Sequence, residues 1–425
     1  MRIFHPLRTT AVALIWGGLS LSAVGDQLYA VALSWVAVGV LGSNAGYLGA
    51  LQALVALLAV LGIGRWADRW DQQRGMIGAD FARAAALLVV VTVWLATGGP
   101  DVPQLVGAIV VLAMGQAVFQ PALQSVLPGL VDDPRLLPAA NGLLDATDRS
   151  ARLLGPGLVA LLAGIIPMVH FLTLDALSFL ASAAALLLIR RVRSRTRGLM
   201  ASRDKGRETN WHGIVRGYRA TAAHPLLGYL FATTGLLNGT WYAVFYLGLP
   251  LLIAHHGMGP LGGTGLGVYG LVLSSYGFAN LAANLVFGGR SIPSRPQFQM
   301  FGGNVIVGSG MALLGLANLL PFQFLLPGLA AAAALSAIGG PMKDIPMAVL
   351  RQTRLGPADM AAAMRVYMAM NSAGTLLAML ITPTALILIG IVPVIVACGV
   401  AYITVGVIGL ARHGSWIEAG VKQPA

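Results

Sequence analysis

The chain has 425 residues, 57% of them hydrophobic and 10% charged, with a mean hydropathy of +0.78. A soluble domain of this length turns far more polar surface to water, so a water-soluble globular fold is excluded. The formal charge of +12 is spread over connections on one side of the apolar runs, which argues against nucleic acid as a partner. The single Cys398 allows no intrachain disulfide.

Twelve apolar runs are predicted as membrane-spanning helices, near the 20 residues that cross a bilayer core of roughly 30 Å. They cover about 11–39, 46–66, 76–97, 103–127, 138–163, 168–189, 226–253, 264–288, 299–319, 322–350, 360–386 and 390–410. The start, MRIFHPLRTTAVALIWGGLSLSAVG, has the basic lead and apolar middle of a signal peptide. Its run continues to about residue 39, so an uncleaved first helix is expected. With the amino terminus inside, the far-side connections near 42–45, 98–102, 164–167, 254–263, 320–321 and 387–389 hold no Lys or Arg. Every loop base then lies on the near face, which predicts a bacterial inner-membrane protein with both termini cytoplasmic.

Charges inside these spans are costly and mark functional candidates. In the first span Asp26 stands between Gly25 and Gln27. A desolvated carboxylate there suits a proton carrier, or a structural acid bonded to a neighbouring helix. The connection GIGRWADRWDQQRG at 62–75 holds Arg65, Asp68, Arg69, Asp71 and Arg74 within ten residues. In the fifth span LLDATDRSARLLGP sets Asp145 four residues before Arg149 and Asp148 four before Arg152, the favourable order on a helix. At 1.5 Å per residue, Arg152 lies roughly 20 Å into that span, so the ladder must face the interior or a wet cavity. It either neutralises itself as a scaffold or exchanges partners with substrate or proton, through Arg149 and Arg152 above all. Asp175 in the sixth span fits a packing or capping role.

Residues 191–225 read as a polybasic cytoplasmic linker between an amino-terminal bundle, 1–190, and a carboxy-terminal bundle, 226–425. Such a linker suits anionic lipid headgroups, and Trp211–Ala223 suits a short interfacial helix. The seventh span reads NGTWYAVFYLGLP, and Asn238, Trp241 and Tyr242 are candidate cavity-lining residues. Tyr246 and Tyr269 fit an interfacial aromatic belt. Lys343 in the tenth span is a candidate partner for Asp26 or a fifth-span acid. His170 and His224 sit at span ends, and no His/Cys cluster has metal-ligand spacing.

Gly64, Asp68 and Arg69 match G-x-x-x-D-R, which resembles the signature loop of the major facilitator superfamily. The resemblance implies an all-α polytopic membrane protein: twelve transmembrane helices in two six-helix halves. It also implies a gating role for the loop, with Asp68 latching onto the start of helix 11 near Pro357–Ala363. LSAVGDQLYAVALSW (21–35), DFARA (80–84), ARLLGPGLVALLAG (151–164) and HFLTLDALSFL (170–180) resemble the branch of macrolide efflux pumps and enterobactin-type exporters. Gly155 and Pro156 are similar to its antiporter motif, where the pair kinks helix 5. The arginine that many drug antiporters carry in helix 4 is missing from QLVGAIVVLAMGQAVFQPALQSVLP, so its role is absent or met from elsewhere.

These features point to a monomeric secondary exporter that moves an amphipathic organic molecule, siderophore or macrolide-like drug, against protons. Its partners are that small molecule, protons and membrane lipid, with no cofactor and no metal. Asp26, Asp145 and Asp148 are the proton-coupling candidates. Arg149, Arg152, Asn238, Trp241, Tyr242 and Lys343 are the cavity candidates. A lysophospholipid flippase or importer of the same fold is the alternative. A polytopic enzyme finds no phosphate cradle or nucleophile elbow in the sequence.

Overall fold

The structure, a computed structural model, describes residues 7–63, 71–131, 136–193, 210–256, 263–290 and 293–415. All regular elements among them are helices: α1 Thr10–Leu41, α2 Gly46–Leu58, α3 Gln72–Thr97, α4 Val102–Leu130, α5 Leu137–Leu162, α6 Val169–Arg193 and α7 Asn210–Ala222. Then follow α8 Pro225–Tyr242, α9 Leu249–His255, α10 Gly263–Gly288, α11 Pro296–Leu316, α12 Phe322–Arg354, α13 Pro357–Ile389 and α14 Ile391–His413. Helices satisfy their own backbone polar groups, which lipid cannot do. Glycines with positive φ, Gly42, Gly98 and Gly390, end α1, α3 and α13, where a side chain would be strained.

Ten runs among the described residues are long and apolar enough to cross a membrane, and the chain is a multi-pass membrane protein. Thr10–Gly62 is one such run of 53 residues, broken into α1 and α2 by a 3₁₀ turn at Gly42–Ala45. Of the twelve expected spans, α5 falls outside these runs. Any 18-residue stretch of it contains Asp145, Asp148, Arg149 and Arg152. The expected seventh span is one continuous helical path whose middle, Ala243–Gly248, is wound as a π turn between α8 and α9.

The chain divides into two compact units, residues 1–210 with 258–270 and residues 211–257 with 271–425. In the first, α1 packs along α5 and α6, and α3 along α4 and α6. One end of this bundle is filled by Val12, Ile15, Met76, Phe119, Leu127, Leu186 and Ile189, all buried. The early part of α10 belongs here too. Tyr269 is fully buried and stacks on Trp35 at 6.1 Å between ring centres, which rules out the expected interfacial belt position.

In the second unit α11 packs on α12 and α14, and α8 on α13. The expected interfacial helix is α7, and it is held by protein as well as suited to lipid. Arg216 pairs with Asp359 at 3.6 Å, and Gly217 lies on the backbone of Ala362 and Ala363. The α8–α13 crossing is tighter still, because Gly235 and Gly374 bring the two backbones together. A Cβ at Gly374 would collide with the Gly235 backbone, which has no soft side chain to move aside. Gly374→Ala is therefore expected to cost 1–3 kcal/mol or more in thermal unfolding of the detergent-solubilised protein. Gly302→Ala, where a Cβ meets nothing within 4 Å, is the matched control and should leave the unfolding temperature unchanged.

Candidate functional site

The first unit gathers charges from four helices. Asp80 and Arg83, one turn apart on α3, form an ion pair buried to 0% and 2% exposure. The arginine is anchored through its two terminal nitrogens and its ring contacts, while its Nε has no hydrogen-bond partner. Its Nη1 donates to Gln116 Oε1 of α4 at 3.0 Å. Its guanidinium lies 4.2 Å from the Phe179 ring centre and 4.9 Å from that of Phe119. Ser182 of α6 also hydrogen-bonds the Asp80 carboxylate. α3 thus places a guanidinium against α4, the helix that itself carries no arginine.

Asp26, half-buried on α1, lies within electrostatic range of Arg83, Asp80, Asp148 and Arg152. Two contacts set the register of α1 against α5. Trp16 Nε1 donates to Thr147 Oγ1 at 2.9 Å, and Gly155 lies against the Gln27 side chain. Gly155 thereby seats α5 beside Asp26. Pro156 lies inside α5, within helical backbone that continues to Leu162.

Asp175 is fully buried in the second turn of α6, past the first-turn N–H groups, so it caps nothing. Ser178 Oγ donates to the Asp175 backbone carbonyl at 2.8 Å and lies 3.2 Å from Oδ1, while Oδ2 has no hydrogen-bond partner. A Cβ on Gly25 would lie 2.5 Å from Asp175 Oδ1, so only glycine lets α1 sit this close to the acid.

The predicted ladder on α5 is present. Arg149 Nε donates to Asp145 Oδ2 at 2.8 Å, and Arg152 Nη2 lies 2.9 Å from Asp148 Oδ2. These side chains are 49–68% exposed. Four exposed charges within a membrane span belong on water, since lipid would leave them unsolvated.

The second unit holds the aromatic candidates. Trp241 Nε1 donates to Tyr276 OH at 3.1 Å, and its ring contacts Tyr242, Phe245, Tyr246 and Tyr276 at 5.2–5.8 Å between centres. Asn238 Nδ2 donates to Thr375 Oγ1 of α13 at 2.9 Å. These rings form one packed cluster, with Tyr242 the most open of them at 37% exposure. Lys343 Nζ lies 3.3 Å from Asp344 Oδ1, so its partner in this structure is its own neighbour. Gly64, Asp68 and Arg69 lie outside the described residues.

The sequence reading brought Asp26, Asp148 and Arg152 forward, and the structure groups these three. It passed over Asp80, Arg83 and Asp175 as site residues. The signal was available: each is an ionisable group inside an apolar run.

The model of the Major Facilitator Superfamily matches residues 15–309. The chain belongs to the major facilitator superfamily. An uncharacterised MFS-type transporter, y4rN of Sinorhizobium fredii (strain NBRC 101917 / NGR234), is 25% identical over 297 residues, 69% of this chain and 68% of that protein. Among solved structures, the POT family transporter PepTSo superposes with a TM-score of 0.67 at 12% identity, covering 96% of this chain and 98% of that one. The nucleoside transporter NupG gives 0.66 at 11% identity, over 94% and 98%. A bacterial homologue of the iron transporter ferroportin, inward-facing, gives 0.66 at 16%, over 95% and 99%. At these identities the superpositions establish the major facilitator fold alone. This member is a transporter by family, and its cargo is read from its own residues.

Proposed function

We propose that this facilitator is a proton-coupled exporter of an amphipathic organic molecule, working by alternating access in a bacterial inner membrane. One observation carries the reading. Asp26, an acid inside a span, lies within electrostatic range of both a buried ion pair, Asp80–Arg83, and an exposed ladder member, Asp148–Arg152. A carboxylate so placed changes its interaction energy with every charge around it when it takes up a proton. Binding of an acidic or polar group at Arg152 loosens Arg152 from Asp148 and alters the field at Asp26, which couples cargo to proton. In the second unit the aromatic group of Trp241, Tyr242 and Tyr276 has the chemistry to bind a ring-bearing molecule. A siderophore or a macrolide-like drug combines these chemistries.

The test is proton movement in liposomes that contain the purified chain and a trapped pH-sensitive dye. An outward gradient of a catecholate siderophore or a macrolide is expected to drive protons in the opposite direction. Protons moving with the compound would identify an importer. No proton movement with either compound, in either orientation, would overturn the reading.

A further inference from the structure

The buried layer of the first unit is short of positive charge. Among the described residues two carboxylates there are fully buried, Asp80 and Asp175, and a single guanidinium, Arg83, is buried with them. Arg83 is bonded to Asp80 and to Gln116. From α3, therefore, Asp175 faces a cation already paired with Asp80, an acid whose own Oδ2 also lacks a hydrogen-bond partner. From α1 it faces Asp26 and the phenol of Tyr29, which bring no positive charge. On its own helix it has only the Ser178 hydroxyl, whose single hydrogen goes to the Asp175 backbone carbonyl at 2.8 Å, nearer than Oδ1 at 3.2 Å. Oδ2 is left with no hydrogen-bond partner in a place that solvent does not reach. An ionised carboxylate is not kept in such a place without a partner, whereas a neutral carboxylic acid is.

We propose that Asp175 carries a resident proton and is a second proton-binding site of the transporter, behind Asp26. The proton resides on Oδ1, which donates it to Ser178 Oγ, while the one hydrogen of that hydroxyl goes to the Asp175 backbone carbonyl 2.8 Å away. Gly25 is what lets the two sites communicate, since any side chain there would hold α1 away from Asp175. The two acids share no hydrogen bond in this structure, so transfer requires α1 to bring Asp26 into contact: Asp175 then gives its proton to an ionised Asp26 and becomes the anion, and the reverse transfer restores the acid. Burial of an anion at Asp175 is unfavourable, so the reverse transfer follows quickly and Asp175 acts as a store. The proposal rests on the proton-coupled reading for its role in transport, but the protonation of Asp175 can be measured without any cargo.

Infrared difference spectroscopy of the purified full-length chain in nanodiscs resolves the carbonyl stretch of a protonated carboxylic acid from carboxylate bands. At neutral pH the wild type is expected to show such a band, and slow shifting of it in heavy water would reflect burial. Asp175→Asn should remove one acid's worth of that intensity. The variant should fold, because Asn is isosteric, its amide can donate to Ser178 Oγ, and the Ser178 bond to the residue-175 backbone carbonyl is unchanged. Asp26→Asn should leave the Asp175 band in place. Ser178→Ala should move the band by removing the hydrogen bond from Oδ1. A wild type without the band, or an Asp175→Asn protein that keeps it in full, would overturn the proposal. If instead the band is lost as expected while Asp26→Asn liposomes still couple protons to cargo, the resident proton stands and the role given to Asp26 fails.

Discussion

Asp26→Asn is expected to abolish proton-driven accumulation while leaving downhill exchange of the same cargo measurable. Asparagine fixes position 26 in a neutral form, so the site no longer changes charge during the cycle. For exchange of one proton against one neutral cargo molecule, each unit of pH gradient is worth about 1.4 kcal/mol, or tenfold accumulation. The variant should bring that ratio to one. Asp26→Glu keeps a carboxylate and should retain part of the coupling. The measurement is cargo accumulation in liposomes under an imposed pH gradient, beside counterflow without one. Accumulation in Asp26→Asn equal to wild type would make Asp26 structural and move the coupling site to Asp145 or Asp148.

The largest effect on stability is expected at Arg83. Removing its side chain strands Asp80 at 0% exposure with only the Ser182 hydroxyl to face it. Breaking a buried pair from one side costs about 3–5 kcal/mol. Loss of packing between Phe119 and Phe179 adds to that cost. Arg83→Ala should therefore lower the heat resistance of the solubilised protein sharply. Arg83→Lys should be intermediate, since a point charge replaces a planar fork that bonds Asp80 and Gln116 together. The double variant Asp80→Asn with Arg83→Met should recover much of the loss, because it leaves no unpaired buried charge. The measurement is the fraction of protein surviving a heating series by size-exclusion chromatography. An Arg83→Ala protein as robust as wild type would mean that Asp80 is not ionised in the folded state.

The membrane helices were legible because lipid imposes one rule, an apolar run of a given length, that needs no tertiary information. The ladder on α5 was legible for a similar reason. Its i,i+4 spacing is local, and the same helix that creates the pairs also satisfies them. Arg83 was visible only as part of DFARA, and its meaning depends on Gln116 and two phenylalanines from α4 and α6. No periodicity in α3 reports such neighbours. Asp175 misled for a related reason. Its position early in an apolar run resembles a cap, and its isolation appears only when α1 and α3 close around it. Lys343 shows the converse, a residue for which a distant partner was sought although Asp344 was adjacent.

The π turn at Ala243–Gly248 holds one residue more than an α-helical path would need. On a helix each residue advances the azimuth by about 100°, so that extra residue sets the phase between the two ends of the element. Trp241 and Tyr242 precede it, and Pro250, Leu252 and Ile253, all buried, lie beyond it. Removing one residue within the turn would relax it to an α-helix. The aromatic rings would then swing away from Tyr276 while the far end kept its seat. The orientation of those rings is thus a one-residue property of the chain, adjustable by a single insertion or deletion without redesigning the surfaces on which either end packs.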